Sequence, residues 1–165
     1  MKDNKLEKLK KRIWVDTICS FIVAGAGLLS AYSKLSLLST VYKYAKENIE
    51  EIAELAGGAL GHILISLVFI VLGLMLVHIR KGGKPFSKSN IIKVQMIACF
   101  TIGCGMLPSV LSAVIVFIST KNFDWKYEVH EIIVMFLGAA IGIISEIFFY
   151  GNELQEDVDL IAKGV

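Results

Sequence analysis

The chain has 165 residues, of which 55% are hydrophobic and 19% charged, whereas roughly 25% of an ordinary soluble domain is charged. Its 17 basic and 15 acidic side chains leave a formal charge of +2, too small to suggest a nucleic-acid partner. That balance argues against a soluble globule, and the length leaves room for about four membrane crossings with short loops but none for a separate soluble domain.

The basic start MKDNKLEKLKKR precedes an apolar run that is long for a cleaved signal and lacks a clear small-residue cleavage site, so it is expected to remain as the first helix. Four apolar stretches follow, each close to the ~20 residues that cross a hydrocarbon core. The predicted spans are residues 13–33, interrupted by Asp16, then 56–79, 94–120 and 132–150, with a tail over 151–165. From Val94 to Thr120 no residue is charged. Helices are required there because the bilayer interior holds no water to satisfy an open backbone. The expected fold is therefore all-α: a single integral membrane four-helix bundle.

Lys and Arg set its orientation. Residues 1–12 carry six and residues 80–93 carry five, against three in 34–56 and two in 119–131. The positive-inside rule places both termini and the middle loop in the cytoplasm, N-in/C-in, which suits a bacterial plasma membrane. Trp125 and Tyr127 suit the outer interface, Trp14 and Tyr150 the inner one. Between spans 1 and 2, Val41, Ala45, Ile49, Ile52 and Ala56 share a helical face. They predict an amphipathic outer-loop helix that either closes the bundle or senses an external ligand.

The middle loop, RKGGKPFSKSNIIK, has its own mechanics. Gly82 and Gly83 end one helix, Pro85 keeps the chain extended, and Ser87 is placed to cap the next, with Phe86 and Ile91 spaced as a hydrophobic staple. Such a cationic hairpin either sets topology against anionic lipid or docks a partner. After Tyr150, the segment GNELQEDVDLIAKGV sets Glu153, Glu156, Asp157 and Asp159 against Lys163 alone, with Leu154, Val158 and Ile161 at i, i+4 and i+7. Such a tail either folds on the chain's own basic loop or meets a basic protein. The docking candidates are Lys84, Pro85, Phe86, Ser87 and Asn90 in the loop, and Glu153, Leu154, Glu156, Asp157, Asp159 and Leu160 in the tail.

Polar residues at membrane depth are Asp16, His78, Lys93 and Glu146. Glu146 pairing with Lys93 or Arg12 would lower the cost of its burial; coupling to a signal and ion transport are the other roles open to it. Gly57 with Gly61, and Gly138 with Gly142, have the spacing that lets helices approach closely, while Pro108 is expected to bend the third span. Cys19, Cys99 and Cys104 sit in apolar runs and read as small hydrophobes. No nucleophile elbow, phosphate loop or zinc-protease motif occurs, and His62, His130 and the outer acids lack a ligand spacing. The chain is accordingly expected to be non-enzymatic, with no cofactor and no metal.

The segments GKPFSKSN and EIFFYGNELQEDVDL, with the four-span layout, resemble the bacterial family of small membrane proteins catalogued as domain of unknown function 2975. The chain departs from the family's usual pattern at Ser89, Phe149 and Ile161. The resemblance implies a protein of no established catalytic activity whose relatives are commonly encoded beside a small helix-turn-helix regulator. It implies a membrane protein that binds such a regulator through its inner loop and acidic tail, its partners being the bilayer, the regulator and, in a homo-oligomer, its own copies. A small transporter or ion-coupled permease, and a stress-tolerance or immunity-type membrane protein, are the competing expectations.

Overall fold

The computed structural model describes residues 2–44, 47–82, 85–123, 125 and 128–162, the side chains of 2–6, 155, 159, 160 and 162 excepted. Among these residues the chain forms four α-helices and no strand: α1 (Lys2–Tyr44), α2 (Ile49–Gly82), α3 (Lys88–Thr120) and α4 (Val129–Ala162). All four are long and apolar enough to cross a membrane, the layout of a multi-pass membrane protein. Short connections alternate their direction, so both described chain ends and residues 85–87 share one end of the molecule, here the terminal end. The opposite end carries the other two connections and is called the far end.

Each helix outruns its predicted span. The amphipathic helix expected between spans 1 and 2 is not an element of its own: residues 41–44 finish α1, and residues 49–56 open α2. Asn48 explains the break. Its backbone carbonyl accepts the first helical bond from Ile52 (3.2 Å) while its amide donates to Glu51 Oε2 at 2.6 Å, so a new helix starts in the middle of the apolar periodicity. The tail likewise continues α4 without interruption to Ala162.

The helices pack in chain order, α1 on α2, α2 on α3 and α3 on α4, and among the described residues no contact joins α1 to α4. Among the described residues the four helices thus form an open row. The outer helices each own one seam. On α1 the buried residues Thr17, Ser20, Ala24 and Ala31 recur every three, four or seven positions, with Gly27 against Ser66 of α2. On α4 Gly138, Ser145 and Asn152 recur every seven. Both repeats match the period of left-handed helix packing. Large apolar side chains on their other faces, such as Ile22, Leu29, Phe136 and Ile143, are exposed, as lipid contact requires.

Small residues set the spacing. A Cβ on Gly57 would lie 2.7 Å from the carbonyl oxygen of Pro108, and one on Gly61 would lie 3.3 Å from the Pro108 ring. A Cβ on Gly138 would lie 2.7 Å from the Ile102 amide nitrogen, whereas Gly142 faces Ala98 at an ordinary 3.9 Å. Three of the four glycines therefore sit where α3 approaches too closely for a relaxed side chain. Buried hydroxyls on the seams are satisfied within their own helices: Thr17 donates to Ile13 O, Ser66 to His62 O and Thr101 to Ile97 O, each at 2.7 Å.

Ser87 caps α3 as the sequence predicts, its extended backbone (φ −84°, ψ 148°) letting the hydroxyl accept from the Asn90 amide at 3.4 Å. Ser87→Ala is expected to cost about 1 kcal/mol, read as a lower unfolding midpoint in detergent with unchanged helical circular dichroism.

Candidate functional site

Two places gather chemistry, one at each end of the row. At the terminal end the structure brings the two sequence motifs together. Asn90 is fully buried and its side-chain amide donates to Pro85 O at 3.2 Å, which folds the 85–90 loop back on the start of α3. Phe86 then projects onto α4. Its ring meets Phe148 edge-on, with centroids 5.1 Å apart and planes at 82°, and covers Gly151, where a Cβ would stand 3.2 Å from the Phe86 ring. Phe86 thus joins two helices, a contact that the staple spacing with Ile91 did not predict.

One turn further along α4, Asn152 is buried and donates to Glu156 Oε1 at 2.9 Å. Lys88 reaches the same oxygen at 3.4 Å. Glu156 lies beyond the apolar stretch of α4, and the Asn152 amide, helped by the Lys88 ammonium, holds its carboxyl below the ordinary range. One carboxylate of the acidic tail thus reaches the start of α3 beside the Phe86 contact. Glu153, Leu154, Asp157, Val158 and Ile161 remain exposed on the extension. Lys84 lies outside the described residues, as do Tyr127 and the side chains of Asp159 and Leu160.

The polar residues at membrane depth are not gathered. Lys93 turns back on its own helix, its ammonium 2.6 Å from Ser89 Oγ and 3.2 Å from Ser89 O. Glu146 and Asp16 are exposed, and among the described residues neither makes an ion pair. The expected pairing of Glu146 with Lys93 or Arg12 is absent because Glu146 follows Ser145, which occupies the α3-facing seam, and so points off it. His78 is also exposed, and the guanidinium of Arg80 lies over the Trp14 ring, 4.5 Å from its centroid.

At the far end a cleft of about 710 Å³ is lined by all four helices. Lys34 of α1 crosses over Gly58 into it, and α2 contributes Glu50, Glu54, Gly57, Gly61 and His62. Ser112 of α3 donates to Ala53 O at 2.8 Å, binding α3 to α2, and Ser109 donates to Glu131 of α4. Glu131 also accepts from the Glu128 amide at 3.1 Å, closing the first turn of α4, and Glu128 pairs with His130 at 3.0 Å. Among the described residues no three His, Cys, Asp or Glu side chains are placed to hold a metal ion.

Lys34, Glu50 and Glu54 belong to no site expected from the sequence. The signal available was the Gly57-Gly58 pair following two acids spaced one turn apart. No family model matches the chain, and no match is found among curated proteins or solved structures.

Proposed function

We propose that this is a non-enzymatic, multi-pass protein of the bacterial cytoplasmic membrane that acts in regulation by holding a small, basic helix-turn-helix protein at its terminal end. That end faces the cytoplasm on this view, because eleven of the 17 Lys and Arg residues lie in segments 1–12 and 80–93. The observation that carries the proposal is the joining of the loop to α4 through Phe86, Phe148 and Gly151. It makes one rigid surface of the two motifs that resemble the domain of unknown function 2975 family.

On that surface Leu154, Val158 and Ile161 form an exposed apolar stripe, each more than 60% exposed, beside the carboxylates of Glu153 and Asp157, which make no ion pair among the described residues. A basic amphipathic helix fits such a stripe, its apolar side chains on the leucine face and its cations beside the acids. A regulator held there cannot occupy DNA with the same basic face.

The test uses full-length protein in detergent, with the small helix-turn-helix protein from the adjacent reading frame. Wild type should retain it, and Glu153→Lys with Asp157→Lys, or Leu154→Ser with Val158→Ser, should release it while leaving the unfolding midpoint intact. Deleting residues 152–165 should also derepress or silence the regulator's target genes. Unchanged retention in both double variants and unchanged expression would rule the proposal out.

A further inference from the structure

The far-end cleft belongs to no step of the docking proposal, and its chemistry is specific. Lys34 is positioned by a glycine: a Cβ on Gly58 would stand 2.9 Å from the Lys34 ammonium and 3.1 Å from Cδ of its stem. A side chain at 58 would compete with the lysine for that space. Among the described residues Lys34 makes no ion pair, and Glu50 and Glu54 have neither an ion pair nor a hydrogen bond. The other charged groups of the lining are engaged, Glu131 with Ser109 and the Glu128 amide, and Glu128 with His130.

What remains is one ammonium beside Gly58 and two acids earlier on α2, Glu54 one helical turn (about 6 Å of backbone rise) before Gly58 and Glu50 a turn before that. An anion suits Lys34 and is repelled by the two acids; a simple cation meets the reverse. A ligand carrying both charges a few ångströms apart satisfies both. The rest of the lining is largely apolar, with Ile65, Cys104, Pro108, Ala113 and Val134. Its volume lies within the range of ordinary small-molecule sites.

We propose that the far-end cleft binds an amphiphilic zwitterion whose primary ammonium meets Glu54 and Glu50, whose phosphate or carboxylate meets Lys34, and whose apolar body lies along the apolar lining. A membrane aminophospholipid and a soluble amino zwitterion share that head chemistry.

Full-length protein in maltoside micelles is titrated with three probes while its thermal unfolding midpoint is followed: lysophosphatidylethanolamine, lysophosphatidylglycerol of the same chain length, and O-phosphoethanolamine. The ethanolamine lysolipid should raise the midpoint saturably, and the glycerol lysolipid, which lacks the ammonium, should bind at least about tenfold more weakly. Lys34→Gln and Glu54→Gln should each weaken the ethanolamine probe by about tenfold, and Lys34→Arg should restore most of the affinity. Gly58→Val, which keeps every charge but crowds the lysine stem, should weaken the ethanolamine probe in the same direction as Lys34→Gln.

Binding of O-phosphoethanolamine as tight as that of the lysolipid would assign the site to a soluble zwitterion, and binding of the lysolipid alone would assign it to lipid. Equal affinity for the two lysolipids, or unaltered affinity in both charge variants, overturns the proposal. The probes leave the terminal end untouched, so this result is separate from regulator docking.

Discussion

Gly57→Ala is expected to lower the stability of the protein by about 1–3 kcal/mol, and Gly138→Ala to do the same. At Gly57 the new methyl group would stand 2.7 Å from Pro108 O, and at Gly138 2.7 Å from the Ile102 nitrogen and 3.1 Å from Ala98 O. These are main-chain atoms, so no rotamer change relieves the overlap and the helices themselves must separate. The two positions act on different interfaces, α2 with α3 and α3 with α4, so the costs should add in the double variant. Gly25 supplies the contrast. Nothing lies within 4 Å of a Cβ there, and alanine is the better helix former, so Gly25→Ala should be neutral or stabilising by up to about 1 kcal/mol. Thermal unfolding in micelles compares the three, and equal midpoints for Gly57→Ala and Gly25→Ala would mean that glycine does not set the helix spacing.

The spans were legible because membrane depth imposes one demand, an uninterrupted apolar run, and the four runs satisfy it. Their ends were not, because outside the bilayer a helix continues or stops on local hydrogen bonding. The face formed by Val41, Ala45, Ile49, Ile52 and Ala56 suggests one helix by periodicity alone. Asn48 with Glu51 three residues later carries the start signal that divides it, and Glu131 closing on the Glu128 amide marks the beginning of α4 in the same way.

The site followed the same logic. Ser87 as a cap and the close approach at Gly57 and Gly138 depend on residues near in sequence or on a simple spacing, and they hold in the structure. The partners of Phe86, Glu146 and Lys34 depend on which helix lies beside which. Periodicity does not encode that choice, and the open row of helices makes it differently from a closed bundle. In a closed bundle α1 and α4 would meet, and their acidic and basic extensions would lie side by side. In the row they stand at opposite edges, and among the described residues the acidic extension of α4 meets the start of α3 through Glu156 and Lys88.

The loop contact through Phe86 predicts an effect larger than this single ion pair suggests. Phe86→Ala is expected to weaken the hold on the α4 extension by about 2 kcal/mol, because it removes the ring that meets Phe148 and leaves Gly151 uncovered. Amide exchange over residues 153–162 should then rise by more than about tenfold, since each 1.4 kcal/mol of lost protection is a factor of ten. Lys88→Gln should change exchange there far less: the side chains of Lys88 and Glu156 are 73% and 55% exposed, and water screens such a pair. A double-mutant cycle of Phe86→Ala with Phe148→Ala should return a coupling of about 0.5–1.5 kcal/mol for the edge-on pair. The reverse ranking, with Lys88→Gln freeing the extension and Phe86→Ala leaving it protected, would mean that charge holds the tail. Salt would then release it, and a basic regulator would have to compete with Lys88 for Glu156. Under the apolar latch, Glu153 and Asp157 stay available at any ionic strength, and the extension is presented to a partner already ordered.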